Sequence, residues 1–344
     1  MHALDSTTAR RSERMLQLAL FVTSVAWFLA SDTVAAHAAR GFSQRLSVDA
    51  ARPLLTSIFL LFLLAVGFSI LQAIARREST LREVLGLPKR PSARREWGLG
   101  AALGWGLVLI AILPTTLAGA LDIQFWTQPR AFGLLLLNLI TLAVAALVEE
   151  VAFRGYPFRR LVEAIGPVAA TITMSLLFGV GHILNPNATW TSTVVTVLAG
   201  VLLSIAWFRT RGLWLGWGFH FGWNASMGIL FGLPISGIND FSSIVETRTI
   251  GHLGLTGGDY GPEGSTFTAL VLLIGIVILV RVTRDYAWHY TYDPIVAAGY
   301  PMEAPPPAAH VAMEQQARPV APASLVQILP STPQTRSVGD EPKP

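Results

Sequence analysis

The amino-acid sequence predicts an all-α fold, a polytopic membrane bundle of about eight transmembrane helices. Of its 344 residues, 52% are hydrophobic and 13% are charged, and the mean hydropathy is +0.51. This composition is too apolar for an ordinary soluble domain. Apolar runs of the length that a helix needs to cross the hydrocarbon core recur along the chain. These predicted spans cover residues 15–32, 53–74, 97–120, 131–153, 167–184, 190–208, 212–234 and 266–283.

Lysine and arginine residues collect in alternate loops between these spans. Because short basic loops stay in the cytoplasm, their positions predict the orientation of the helices. The loop 76–96 is strongly basic, whereas the loops at 122–130 and near Asn185 have almost no basic residues. We therefore expect a multi-pass protein with both termini in the cytoplasm, in a bacterial inner membrane. The basic residues of the loop 76–96 are Arg76, Arg77, Arg82, Lys89, Arg90, Arg94 and Arg95.

The sequence composition also narrows the partners and the chemistry. The pI near 9.7 is explained by topology and by contact with anionic lipid headgroups, so no nucleic-acid partner is expected. The chain has no cysteine, which excludes a thiol nucleophile, disulfide bonds and thiolate metal sites. A membrane-anchored protein or peptide and the bilayer itself are the expected partners.

The two ends of the chain differ from its middle. The first 40 residues resemble a secretory signal with a small-residue site at Ala36-His37-Ala38, although the apolar stretch is long enough to remain as an anchor. The last residues are rich in proline and predicted to be disordered, after aromatic residues typical of a membrane interface. The predicted divisions are 1–130 (N-terminal helices and basic loop), 131–234 (catalytic core), 235–285 (external loop and last helix) and 286–344 (interfacial and disordered cytoplasmic tail).

Two adjacent glutamates end the long apolar run that begins near residue 131. Glu150 and Arg154 are four residues apart, so on a helix they share a face and can form an ion pair. Glu149 then points elsewhere without a local partner and is the available carboxylate. In a poorly solvated cavity such a group can act as a general base on water. The alternative is that both glutamates reach the cytoplasmic surface along with Arg154.

Two histidines lie inside later apolar runs. His182 has no ionisable neighbour in sequence and needs a partner on another helix, which makes it either a site residue or a structural histidine. His220 and Asn224 share a helical face, so the amide can polarise a carbonyl or orient the imidazole; the alternative is a polar clasp between helices.

A carboxylate, two histidines and an amide on three separate spans are the parts of a water-activating hydrolase site. Ionisable groups inside a membrane are costly and therefore indicate function. The favoured function is a peptidase that works within the bilayer. The alternative is a non-catalytic scaffold, an immunity-type protein or an ion-coupled transporter that uses the same polar cluster for binding.

The order Glu149-Glu150-x-x-x-Arg154, Phe178-x-x-x-His182 and His220-x-x-x-Asn224 resembles the CAAX protease and bacteriocin-processing family of intramembrane peptidases, which includes the type II CAAX prenyl endopeptidases. The resemblance covers roughly residues 131–234. It implies that Glu149 and His182 activate water and that His220 and Asn224 stabilise the oxyanion. Prenylated substrates are not carried over, because the topology and the signal-like start are typical of bacteria.

Family members are commonly described as metalloproteases, so a metal has to be considered. The chain has no His-Glu-x-x-His helix, and a metal such as Zn²⁺ would be held by His182, His220 and Glu149 from different helices. Zinc is therefore possible and not required. Counting 1.5 Å per residue, Glu149 and His182 lie at different depths. We expect either an amphipathic stretch at 157–166 that shifts the next span or a tilted, re-entrant arrangement.

Overall fold

The computed structural model describes residues 2–77, 79–239, 241 and 243–284. The predicted interfacial and disordered tail, 286–344, lies outside these residues. The described chain is a bundle of α-helices, which confirms the predicted fold class. The helices are α1 (His2–Leu46), α2 (Arg52–Ile74), α3 (Leu81–Val84), α4 (Ala93–Leu117), α5 (Pro129–Arg154), α6 (Tyr156–Ile165), α7 (Pro167–Gly181), α8 (Trp190–Thr210), α9 (Trp214–Ala225), α10 (Leu253–Thr256) and α11 (Thr266–Val282).

Five helical segments among the described residues are long and apolar enough to cross a membrane. They make the chain an integral membrane protein, although they are fewer than the eight predicted spans. Two further apolar helices, α7 and α11, are shorter. The five segments are Arg11–Leu46, Asp49–Ile74, Ala93–Leu117, Pro129–Ile165 and Trp190–Thr210.

Two predicted boundaries differ from the structure. Helix α1 continues to Leu46, well beyond the predicted end at residue 32. The predicted span 212–234 is instead the short helix α9 followed by a π-helical turn, Ser226–Leu230. By contrast, the expected amphipathic stretch at 157–166 is confirmed: it falls within α6 and its C-terminal Gly166, and α6 is a separate helix between α5 and α7. Its insertion lets α7 begin again at Pro167, which accounts for the different depths of Glu149 and His182.

The bundle has two chemically different ends. One end, called here the basic face, is formed by the loop 75–92, helix α6 and the turn 211–213. Contacts join these parts: the Arg77 guanidinium lies 2.8 Å from Glu163, and Arg90 donates a hydrogen bond to the Thr210 carbonyl. The other end, called the opposite face, contains the α1–α2 turn and the segment 231–265. It also contains an antiparallel pair of strands, β1 (Leu121–Phe125) and β2 (Val245–Thr249).

Helix α9 packs unusually closely on α4 through glycines spaced four residues apart. Gly100 and Gly104 in α4 face Gly218 and Gly222 in α9. At each position an added Cβ would overlap a backbone carbonyl oxygen of the other helix. Small residues at this spacing let membrane helices approach closely. This packing fixes α9, and with it two of the predicted site residues.

Candidate active site

Four polar side chains form a continuous chain between α5 and α9. Arg154 Nη1 lies 3.3 Å from Glu150 Oε1, and this carboxylate oxygen is 3.0 Å from His220 Nδ1. On its other side the His220 ring places Nε2 3.7 Å from Glu149 Oε2. His220 therefore lies between the two adjacent glutamates. The two glutamates therefore have different surroundings, because only Glu150 contacts both the Arg154 guanidinium and the His220 imidazole.

The two glutamates also differ in their exposure. Glu150 and Arg154 are completely buried, whereas the Glu149 side chain is 37% exposed. Even so, Glu149 Oε2 is a buried atom with no hydrogen-bond partner among the described residues. At 3.7 Å, its separation from His220 Nε2 is too long for a direct hydrogen bond. Glu150 Oε2 is likewise unpaired among the described residues, but only Glu149 lines the cavity described below. Glu149 is thus the carboxylate of the pair that a substrate or a water molecule can reach.

The buried arginine is held from three directions. Its Nη2 donates to the Gly200 carbonyl of α8 at 3.3 Å, and its guanidinium carbon lies 4.3 Å from the centre of the Phe178 ring in α7. Together with Glu150, these contacts offset the cost of a buried cation by an ion pair, a hydrogen bond and a cation–π contact. Arg154 therefore joins α5, α7 and α8 directly beneath the polar site.

A glycine lets the carboxylate and the imidazole meet. A Cβ added to Gly216 in α9 would lie 3.2 Å from Glu150 Oε2, which is a tight contact. One residue later, the Trp217 indole donates a hydrogen bond to the Ala143 carbonyl of α5 at 2.8 Å. The two contacts hold α9 against α5 and place His220 at the height of the glutamates.

His182 lies at the C-terminal end of α7, and both its ring and that of His220 are close to the Phe178 ring. Its ring centre is 4.6 Å from that of Phe178, and the His220 ring centre is 6.3 Å from Phe178. His182 Nδ1 is 2.8 Å from the Phe178 carbonyl oxygen. A carbonyl can only accept a hydrogen bond, so Nδ1 carries a proton, and the tautomer with this arrangement has Nε2 as its acceptor.

A single cavity of about 580 Å³ connects these side chains. Glu149, His182, His220 and Asn224, the four predicted catalytic residues, all line it. Asn224 is 9% exposed and lies one helical turn after His220. Glu150 and Arg154 are not among the lining residues, since they pack behind the cavity wall. The four lining residues can therefore reach a substrate, whereas Glu150 and Arg154 can only support them from behind.

Residues outside the predicted core also line the cavity, and the sequence did not predict them. The α1–α2 hairpin supplies Asp32, Arg40 and Arg52 to its wall. From the segment before α11, Glu263 accepts a hydrogen bond from the Trp223 indole at 2.8 Å. Nothing in the local sequence distinguishes these residues, because their partners are far away along the chain.

The described side chains do not fit a metal centre. No three His, Cys, Asp or Glu side chains in the described part of the chain are grouped so that they could hold a metal ion. The predicted ligand set of His182, His220 and Glu149 is therefore not assembled. Part of the physical reason is that Nδ1 of His220 contacts Glu150 Oε1 and Nδ1 of His182 contacts the Phe178 carbonyl oxygen.

The fold and the site define an integral membrane protein with a buried carboxylate–histidine site between its helices. Comparison with protein families identifies it further: residues 131–226 match the family described as type II CAAX prenyl endopeptidase Rce1-like. This segment is similar to that family of proteases, which confirms the predicted resemblance. The match covers most of the predicted core, 131–234. No curated protein and no solved structure matches the chain.

Proposed function

We propose that this protein is an intramembrane endopeptidase that hydrolyses a peptide bond with water activated by Glu149. The observation that carries the proposal is the buried Glu149 Oε2, which has no hydrogen-bond partner among the described residues and faces the cavity beside His220 Nε2. A general base needs a free acceptor within reach of the water that it deprotonates. Glu149 satisfies this requirement, whereas Glu150 contacts Arg154 and His220 through Oε1 and does not line the cavity, although its Oε2 is also unpaired.

The reaction follows from the placement of the polar groups around the cavity. Glu149 takes a proton from water as the water oxygen attacks the carbonyl carbon of the scissile bond. His182, with Nδ1 donating to the Phe178 carbonyl, offers Nε2 to hold the same water. As the carbon–nitrogen bond breaks, the protonated Glu149 gives its proton to the leaving amine. One water molecule is consumed: its oxygen and one hydrogen go to the new carboxyl group, and its other hydrogen goes to the amine.

The negative charge that develops on the carbonyl oxygen needs hydrogen-bond donors. His220 Nδ1 is directed at the Glu150 carboxylate, so a protonated His220 presents Nε2–H to the cavity. The Asn224 amide, one turn along the same helix, supplies a second donor. Donors fixed in advance at this position stabilise the transition state more than the substrate, and removing one typically costs about 10²–10³ in rate. Glu150 and Arg154 act as positioning residues for His220.

The proposed substrate is a membrane-associated protein or peptide, because the site lies within a bundle of membrane helices. The prenyl group in the family description is not assigned to this chain. Zinc stays a prediction from the resemblance and has no ligand set in the described residues. The tail 286–344 is given no part in the reaction.

The proposal can be tested with purified protein in lipid vesicles. The wild-type protein and the Glu149→Gln variant are incubated with a mixture of apolar peptides, and mass spectrometry identifies the cleavage products. Cleavage by the wild type that disappears in a folded Glu149→Gln variant supports the proposal. An equal rate in the two proteins would contradict it. The matched control is Glu83→Gln, because Glu83 lies at the basic face and outside the cavity wall.

A further inference from the structure

The cavity extends in only one direction from the proposed catalytic base. Along α5 its wall contains Glu149, Ala145, Leu142 and Thr141, which run away from the basic face. At 1.5 Å per residue, Thr141 lies about 12 Å nearer the opposite face than Glu149. The wall residues from α8 span Val195 to Leu203 and end at the same level. Glu149 is therefore at the inner end of the cavity.

Helix α6 closes the end of the bundle next to Glu149. Tyr156, Phe158 and Arg160 in α6 are completely buried. Arg160 Nη1 donates to Gln17 Oε1 of α1 at 2.9 Å, which seals α6 against the first helix. Among the described residues, none from α6, from the loop 75–92 or from the turn 211–213 lines the cavity. This cavity therefore gives no access to Glu149 from the basic face.

The other end of the cavity is exposed. Asp32 and Arg40 of α1 and Arg52 of α2 line it and are exposed to solvent or headgroups. Across from them, Ile238 is 36% exposed and also lines the wall. The Asn185 amide, bonded at 3.0 Å to the Ser236 carbonyl, joins the loop after α7 to this rim. The mouth of the cavity is thus formed between the α1–α2 hairpin and the segment 231–265.

The charges of the two faces set the direction in which this mouth points. Ten basic residues lie at the basic face or at the adjoining start of α4, namely Arg76, Arg77, Arg82, Lys89, Arg90, Arg94, Arg95, Arg159, Arg160 and Arg211. The opposite face has fewer basic residues, namely Arg40, Arg45, Arg52, Arg130 and Arg248. The excess of lysine and arginine near the ends of the spans determines which side stays in the cytoplasm. The basic face is the cytoplasmic one by this rule.

We propose that the site receives its substrate from the extracytoplasmic side of the membrane. Its substrate class is then a polypeptide segment that leaves the bilayer at the opposite face, such as the exported part of a membrane-anchored protein. The nature of the substrate in this inference rests on the proposed function. The direction of access itself depends only on the cavity and on the distribution of charge.

The absence of cysteine from the natural sequence makes this direction directly measurable. Single cysteines are introduced by Pro91→Cys in the basic loop, Ile238→Cys at the mouth and Ala145→Cys inside the cavity, one turn from Glu149. Each full-length variant is produced in a bacterial host. A small charged thiol reagent that cannot cross the membrane is added to intact spheroplasts and, separately, to permeabilised membranes. Mass spectrometry measures the labelled fraction, and the cysteine-free wild type is the blank.

We expect Ile238→Cys and Ala145→Cys to be labelled to nearly the same extent in intact and permeabilised samples, and Pro91→Cys only after permeabilisation. The opposite pattern would overturn the proposal, and so would labelling of the residue 145 cysteine only from the cytoplasmic side. If the Ala145 variant does not fold, Ser57→Cys on the cavity wall of α2 replaces it and is expected to be labelled in intact spheroplasts.

Labelling and proteolysis report on different claims. The labelling pattern requires no turnover, so it holds even if the protein cleaves nothing. Conversely, cleavage that depends on Glu149 combined with a cytoplasmic labelling pattern would leave the proposed function intact and refute the direction of access.

Discussion

One methyl group added to α4 should disturb the active site without touching any of the four predicted catalytic residues. Gly104 faces α9, and a Cβ at this position would lie 2.7 Å from the Trp223 nitrogen and would overlap the Phe219 carbonyl oxygen. Both are backbone atoms of the helix that carries His220. Unlike the end of a flexible side chain, they cannot move away independently. Gly104→Ala therefore has to push the two helices apart.

The size of the displacement can be read from the structure. Ordinary van der Waals contact begins at 3.4 Å, so the Trp223 nitrogen alone requires α9 to move by about 0.7 Å, and the closer Phe219 carbonyl oxygen requires a larger shift. The bond from His220 Nδ1 to Glu150 Oε1 is 3.0 Å long, and a shift of this size in the helix that carries His220 is enough to disrupt its geometry. Overpacking of this kind costs about 1–3 kcal/mol. Misplacement of a catalytic group by about 1 Å can lower the rate by about 10²-fold.

A matched control lies two residues along the same helix. Gly106 has open space around its Cβ position, so Gly106→Ala gains the same helix propensity without a clash. Thermal unfolding in detergent should show Gly104→Ala to be less stable than Gly106→Ala by about 1–3 kcal/mol. Peptide cleavage should fall only in Gly104→Ala. Equal stability and activity of the two variants would refute the close-packed α4–α9 interface.

Three further substitutions and one control test the division of roles among the acidic residues. Glu150→Gln leaves the buried Arg154 without its counter-charge and should cost about 3–5 kcal/mol of folding stability, measured as yield and unfolding temperature. Glu149→Gln should abolish cleavage at nearly unchanged unfolding temperature, and equal behaviour of these two variants would count against the assignment. The Glu263 carboxylate accepts hydrogen bonds from the Trp223 indole and from the backbone amide and hydroxyl of Ser236. Glu263→Gln weakens this acceptor and should lower the free energy of unfolding by about 1.5–3 kcal/mol. The control Glu246→Gln, on the half-exposed strand β2, should change stability little.

Much of the fold was accessible from the sequence because hydropathy and helix length are local properties. The apolar runs predict the helices well where they are long, as in α2, α4 and α8. They fail for α9, where glycine and tryptophan are apolar enough to resemble a full span although the helix ends at Ala225. The pattern Gly100-x-x-x-Gly104 with Gly218-x-x-x-Gly222 is a local signal that could have predicted the α4–α9 contact.

The candidate site is only partly encoded in local patterns. The i, i+4 spacing predicts that Glu150 and Arg154 are neighbours, and the structure places them 3.3 Å apart. The contact between Glu150 and His220 joins residues 70 positions apart, and no single-sequence pattern specifies it. The same holds for the cavity wall supplied by Asp32 and Arg52. These features arise from the packing of α1, α2 and α9 around α5, which depends on all of their side chains together.

The most direct test of the central claim is a comparison of protein termini in living cells. Membranes of host cells with the wild-type protein and with the Glu149→Gln variant, at matched abundance, are analysed by mass spectrometry for new N- and C-termini. The account predicts termini that are present with the wild type and absent with the variant, in proteins anchored in the same membrane. If the folded wild-type protein produced no such termini, while Glu149 controlled an ion flux in liposomes, the peptidase assignment would be contradicted.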